Sequence, residues 1–186
     1  MQIVPIHLAT DRLVLTSLNM DDAEAMVDYY QRNWLTFKPW EPERDDSFFN
    51  VDKTVPRISA MAEAMAKQQA VHFLLKRHDS VEIVGQCAFT NIVRGPFQAC
   101  HLGFSICKTY EGKGLMQEAL RRTIDFVFGE LCLHRVMANY RPENERSHRL
   151  LQRLGFEQEG LARSYLKIDG DWRDHVLTSL INGTYC

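Results

Sequence analysis

The segment "TYEGKGLMQEAL", Thr109–Leu120, directly follows the strand-like "CHLGFSIC", Cys100–Cys107. It sets two glycines and a lysine at the point where a strand hands over to a helix. From Gly112 to Phe128 the apolar residues Met116, Leu120, Ile124 and Val127 recur at helical spacing, so one face of this helix is expected to press on a sheet. Gln117, Arg121 and Arg122 form the opposite face. The first turn of a helix carries N–H groups without internal partners and the positive end of the dipole, which together favour an anion. Gly112 and Gly114 either let a phosphate approach the backbone or simply permit a tight turn with Lys113 solvated. Two common nucleotide motifs are excluded: G-x-x-x-x-G-K-[ST] is absent, and G-x-G-x-x-G fails at Gln117.

Before this segment, "VHFLLKR" (71–77) and "EIVGQCAFTNIV" (82–93) flank a short turn and read as a hairpin. Arg94–Pro96 makes the next turn and leads into "FQACHLGFSIC" (97–107), giving a meander of antiparallel strands. Earlier still, Arg12–Leu18 reads as a first strand and "DDAEAMVDYYQRN" (21–33) as a helix with acids in its first turn. "FKPWEPERDD" (37–46) breaks regularity at Pro39 and Pro42, and "SFFNVDKTVPRISAMAEAMAKQQA" (47–70) is helical with an interruption expected near Pro56. Downstream come a strand, "HRVMANY" (134–140), and a helix, Glu145–Leu154, with Asn144 as N-cap and Gly155 as its stop. Two further strands, "FEQEGLARSYLKI" (156–168) and "WRDHVLTSLI" (172–181), are joined at Asp169-Gly170, a strong hairpin signal. The pattern predicts an α/β (α+β) fold: one domain over 1–186, with a mixed, mostly antiparallel central sheet flanked by helices.

With 186 residues, 45% of them apolar, the chain has material for one ordinary domain with a real core. Its 22 basic and 24 acidic side chains nearly cancel to a net charge of −2, so neither DNA nor a membrane surface is expected as a partner. Cys87, Cys100, Cys107, Cys132 and Cys186 include no C-x-x-C pair and read as reduced thiols of a cytoplasmic protein. The opening "MQIVPIHLATDRLVL" (1–15) is interrupted by Pro5, His7 and Asp11 and does not read as a signal-peptide core. No apolar run approaches the roughly 18 residues of a membrane span. The histidines lack H-x-x-x-H spacing and Cys100-His101 stands alone, so no metal site is expected.

A glycine-bearing helix start that follows an antiparallel meander and precedes another strand and helix resembles the GNAT superfamily of N-acetyltransferases. The blocks "FKPWEPERD" (37–45), "GQCAFTNIVRGPFQACHLGFSI" (85–106), "GKGLMQEAL" (112–120), "HRVMANYRPENERSHRLLQRLGFEQEG" (134–160) and "YLKIDGDWRDHVLTSL" (165–180) resemble, within it, the RimJ branch of the RimJ/RimL group. These are ribosomal-protein alanine N-acetyltransferases, and the resemblance covers most of the chain from Thr10 to Leu180. It implies acetyl-CoA as the donor, leaving as CoA, with its pyrophosphate on a Q/R-x-x-G-x-G/A loop that maps to Glu111, Gly112, Lys113, Gly114, Leu115 and Met116. The two glycines match. Glu111 replaces a basic or amide residue and Met116 a small one, so the Glu111 side chain is expected to point away and the backbone amides to do the binding. The implied acceptor is the N-terminal alanine of the fifth protein of the small ribosomal subunit, with the ribosome or a pre-ribosomal particle as a possible partner; monomer or dimer is left open.

The reaction sets what else is required. An N-terminal α-amine, with a pKa of about 7.8, costs about 1 kcal/mol to deprotonate at pH 7, against about 4.6 kcal/mol for a lysine. One weak base therefore suffices. The resemblance favours Glu159 in that role, and Glu41 is the other candidate; each is otherwise a solvated acid. The oxyanion needs a preorganised donor, which the resemblance assigns to backbone N–H groups of the strand before the glycine loop, Phe104, Ser105 and Ile106 through to Cys107, where strands part. Cys107 itself reads as core. On spacing, Ser147 lies in the first turn of its helix, either bonding the backbone there or, as the RimL-like enzymes imply, protonating the departing thiolate. Asn144 and Asn139 are implied to hold the pantetheine arm. Trp40, Glu41, Phe97 and Tyr165 are candidates for the acceptor wall. Arg141, Arg146 and Arg149 are either solvated or face the CoA 3′-phosphate or ribosomal RNA. Two other readings stand beside this one: acetylation of a polyamine or aminoglycoside, and a non-catalytic acyl-CoA-binding ribosome-assembly protein.

Overall fold

The computed structural model describes residues 5–184, so Cys186 lies outside it. The order of elements is β1 (His7–Ala9), β2 (Leu13–Ser17), α1 (Ala23–Phe37), α2 (Val51–Ala66), β3 (Val71–Arg77), β4 (Ile83–Val93), β5 (Ala99–Ile106), α3 (Leu115–Gly129), β6 (Arg135–Met137), α4 (Glu145–Arg153), β7 (Glu157–Ile168) and β8 (Asp171–Ile181). Among the described residues eight strands form one sheet in the order β1-β2-β3-β4-β5-β6-β8-β7. The pairings are antiparallel except that of β5 with β6.

The sheet carries a core on each face. On one, Cys100 and Leu102 of β5 and Phe73 of β3 meet Leu115, Ala119, Leu120, Ile124 and Val127 of α3 and Leu150 and Leu151 of α4. This is the stripe expected from spacing, and Leu120 and Val127 are fully buried. On the other face Leu74 and Ile83 meet Met26, Tyr29, Tyr30 and Phe37 of α1 and Ile58 of α2. Alternation along β3 sends Phe73 and Leu75 to the first layer and Leu74 to the second, so this strand reads as almost continuously apolar.

β1 lies ahead of the strand read as first, α3 begins at Leu115 rather than Gly112, and three further elements differ from the sequence reading. α2 is not interrupted at Pro56: it runs on from the Asn50 N-cap to Ala66 with the proline inside it. Pro56 is exposed, so the Asp52 carbonyl that loses its N–H partner is hydrated. α1 extends to Phe37 because Phe37 buries against Tyr29 and Tyr30. The strand expected over 134–140 makes ladder pairs only at Arg135–Met137, and this shortening opens the site described next. Asp169 and Gly170 join β7 to β8 with φ of 46° and 82°, as the hairpin signal requires. Among the described residues no helix is long and apolar enough to cross a membrane, and no group of His, Cys, Asp and Glu could hold a metal ion.

Candidate active site

β5 pairs with β6 over Ala99–His101 alone. Beyond it the chain after β6 leans to the other neighbour: Ala138 and Tyr140 donate their N–H groups to the carbonyls of Thr178 and Val176 of β8, at 3.0 and 3.2 Å. The far half of β5 is thereby left without a strand partner on that side. Cys107 donates its N–H to the Val84 carbonyl of β4 at 2.8 Å, so strand alternation turns the N–H groups of Phe104 and Ile106 into the gap. Two unpaired donors in a cleft between parting strands suit a carbonyl oxygen that gains negative charge.

The open end of the gap leads into the glycine loop. Gly112 and Gly114 both adopt left-handed backbone, with φ of 72° and 76°. A Cβ on Gly112 would meet nothing within 4 Å, so the space before the α3 N-terminus is open to a ligand. The loop is braced from two sides. Arg12 donates to the Lys113 carbonyl at 2.9 Å and pairs with Glu118 in the first turn of α3, which also accepts from Thr10 at 2.5 Å. Arg146 of α4 pairs with Glu111. That pairing neutralises the unexpected Glu111 charge from α4. Lys113 is exposed, with Nζ 5.3 Å from the Tyr110 ring centre. Leu115 and Met116 pack inward into the core. Open glycine backbone, free helix N–H groups and a nearby lysine fit a pyrophosphate.

Ser147 stands half-buried in the first turn of α4, its N–H donated to the Asn144 side chain at 3.1 Å. Asn144 is thus engaged as the N-cap. Asn139 uses its side chain to donate to the Tyr165 hydroxyl at 3.2 Å and to accept from the Thr178 N–H at 3.4 Å, which ties β7 and β8 to the gap. Arg141 donates to the Pro39 carbonyl at 2.6 Å and lies over the Trp40 ring, whereas Arg149 pairs with Glu145 on the surface. The Asp169 N–H is donated to the Glu41 carbonyl at 3.0 Å. Trp40, Glu41 and Tyr165 therefore belong to one wall, formed by the segment after α1 and the β7–β8 hairpin.

Behind that wall lies a polar cluster of which sequence reasoning named only Glu41 and Ser105. The Tyr29 hydroxyl bonds the Ser105 hydroxyl at 2.8 Å, and Gln86 donates to the Tyr30 hydroxyl at 2.5 Å and to Ser105 at 3.3 Å. Glu41 faces these tyrosines. Burial raises its carboxyl above the ordinary value; the guanidiniums of Arg44, 3.6 Å away, and Arg57 pull it down without cancelling the rise. Burial, with the Glu41 charge adding, pushes the Tyr30 phenol up to about 12. Arg44 and Arg57 both lie over the Phe48 ring, 4.5 and 3.9 Å from its centre. The signal that could have found this cluster is weak: adjacent tyrosines on one helix, and a glutamine inside an apolar strand.

Two expected residues stand elsewhere. Phe97 is in the turn between β4 and β5, before Ala99, which itself lies six residues or about 20 Å along β5 from Ser105, so the structure does not bring it to this cleft. Glu159 is exposed, paired with Arg135 and accepting from the Ser179 hydroxyl at 2.9 Å. The Arg135 and Ser179 hydrogen bonds hold its carboxyl below the usual range. Ser179 pairs in register with Met137 and, through it, with His101, four residues before Ser105, which is about 13 Å along the sheet. An exposed, ion-paired carboxylate with a lowered pKa has less of the basicity expected of a base at the gap. Cys87 and Cys100 are buried thiols pushed by burial to about 12, and Cys107 is buried against Asn33.

Comparison with known proteins agrees with this geometry. The acetyltransferase (GNAT) domain model matches residues 12–157. The chain is 47% identical to the [ribosomal protein uS5]-alanine N-acetyltransferase of Escherichia coli (strain K12), over 94% of this chain and 90% of that one. The crystal structure of ribosomal-protein-S5-alanine acetyltransferase from Vibrio fischeri superposes with a TM-score of 0.93 at 36% identity, covering 97% of this chain and 99% of that one. Mycobacterium smegmatis RimJ in complex with CoA-disulfide superposes with a TM-score of 0.86 at 29% identity, covering 91% and 81%. With its parted β5 and β6, its glycine loop at the start of α3 and its matching domain, the chain belongs to the GNAT family and is an acetyl-CoA-dependent N-acetyltransferase.

Proposed function

We propose that this enzyme acetylates the α-amine of the N-terminal alanine of a small-subunit ribosomal protein, in the cytoplasm. The likeness to the Escherichia coli enzyme named for alanine of uS5, at 47% over 94% of the chain, supports the acceptor. The observation that carries the reading over its small-amine rival is the charge of the acceptor cluster: one carboxylate, Glu41, against two guanidiniums, Arg44 and Arg57. A polyamine needs several negative partners. An α-amine needs only to lose one proton, and surplus positive charge favours its neutral form.

Acetyl-CoA supplies the activated acetyl group; the chain supplies everything around it. Glu41, rather than Glu159, takes the proton from the amine, directly or through a water, because its raised pKa is nearer the working range. The Tyr29–Ser105–Gln86–Tyr30 network holds the acceptor side rigid. The Phe104 and Ile106 amides take the developing charge on the carbonyl oxygen, and Ser147 delivers a proton to the leaving sulfur. Backbone at Asn139 and the Asn144 cap fix the cofactor's arm. The test is to incubate the enzyme and acetyl-CoA with unacetylated uS5 and with uS5 blocked at its N-terminus, and to locate the acetyl group by mass spectrometry. Acetyl on the alanine nitrogen of the free protein alone is expected. Acetyl on lysines of both, or on neither, overturns the proposal.

A further inference from the structure

We propose that the residues after the acceptor's N-terminal alanine lie extended in a trough between α2 and the sheet, passing over Gly103. The inference rests on the α-amine reading above. Gln86, Ala88 and Thr90 of β4 share a face, and their register partners on β5 are Ser105, Gly103 and His101. This face begins at the acceptor cluster, where Gln86 bonds Ser105, and four residue steps along β4 carry it about 13 Å to Thr90. Midway sits a glycine in a central strand. Gly103 is exposed, and a Cβ added there would meet nothing within 4 Å. Glycine in a strand interior forfeits packing and marks places where another backbone comes close. Ala88 opposite it is also small.

α2 leaves this face uncovered farther along. A cavity of about 590 Å³ lies there, lined by Arg57, Ala60, Met61 and Ala64 of α2 and by His72 and Thr90 of the sheet. Its volume is in the range of sites that hold small ligands. His72 is the register partner of Ala88, so the cavity and the Gly103 gap adjoin. Arg57 joins the cavity to the acceptor cluster: it lines the first and acts on the Glu41 carboxyl in the second. One extended peptide therefore has its amine at Glu41 and about four following residues along the trough. Arg57 stands at the mouth, and burial lowers the basicity of His72 and His101 beside it. The lining is thus neutral apart from one cation, which suits apolar or acidic side chains and disfavours lysine and arginine in those positions.

The experiment compares kcat/KM for an alanine-starting dipeptide amide and for a hexapeptide, in the wild type, Gly103→Val and Ala60→Phe. Valine suits a strand and its Cβ meets nothing within 4 Å there; Ala60 is exposed, so Phe fills the trough from the other wall even if the first variant folds poorly. The wild type is expected to favour the hexapeptide, and each variant to erase about tenfold of that preference with the melting temperature and acetyl-CoA KM kept. Equal losses on both peptides, or no change in the preference, overturn the trough while leaving the α-amine reading intact. No turnover of either peptide by the wild type overturns both.

Discussion

Two carboxylates competed for one role, and their surroundings separate them. Glu41 is held above its unfolded pKa by burial, so as a base it works only after ionising above the ordinary carboxylate range. The acid limb of the kcat profile is expected to lie above that range and to vanish in Glu41→Gln, with kcat down about 10²–10⁴-fold. For folding the sign is opposite. A raised folded pKa contributes stability that is present below the unfolded pKa and lost as pH rises through the folded one. Glu41→Gln, fixed in the neutral form, should therefore melt no lower than wild type at neutral pH; a lower melting temperature would argue that ionised Glu41 is structural. Glu159 is the reverse: its lowered pKa contributes stability above the unfolded value that is lost as pH falls. Glu159→Gln should lower the neutral-pH melting temperature slightly and keep kcat near wild type, which steady-state kinetics and a thermal melt check together. The resemblance ranked Glu159 first, and the surroundings that favour Glu41 instead depend on burial and on Arg57 and Arg135, which approach only in the fold.

Among the elements, the junction of the glycine loop with α4 couples the two halves of the cofactor site. Arg146 neutralises Glu111 from across the loop. Arg146→Ala is expected to raise the KM for acetyl-CoA several-fold by leaving a carboxylate beside the phosphate amides, and Glu111→Gln in the same chain to restore it; a KM unmoved by Arg146→Ala would count against the clamp. The frame of the α3 stripe was legible, since Met116, Leu120, Ile124 and Val127 recur at the period a packed helix imposes, whereas the buried Leu115, Ala119 and Thr123 beside them were not named as part of it. Leu120→Ala, at a fully buried site, should cost about 2–5 kcal/mol in a denaturant titration. Pro56 misled because the helix runs on through it at an exposed position, where the Asp52 carbonyl that loses its partner is on the solvent side. The short β6 was not legible at all: "HRVMANY" has strand chemistry throughout, and only competition between β5 and β8 for its backbone decides where pairing stops.

At the scale of the molecule, the phosphate loop of the cofactor site is local in sequence and the acceptor half is not. Gly112–Met116 forms one loop and helix start, so its chemistry could be read from a single stretch. The acceptor cluster draws Tyr29 and Tyr30 from α1, Glu41 and Arg44 from the next segment, Arg57 from α2, Gln86 from β4 and Ser105 from β5, and only the sheet order brings them together. Phe97 failed as a wall residue for the same reason: nearness to a block of sequence says nothing about which end of a strand it joins. The most direct check of the account is thiol release from acetyl-CoA with three acceptors side by side: a free alanine-starting peptide, an N-blocked peptide containing lysine, and spermidine. Turnover confined to the free alanine peptide is the predicted result. Turnover on spermidine or on the lysine side chain, with the alanine peptide inert, would contradict it.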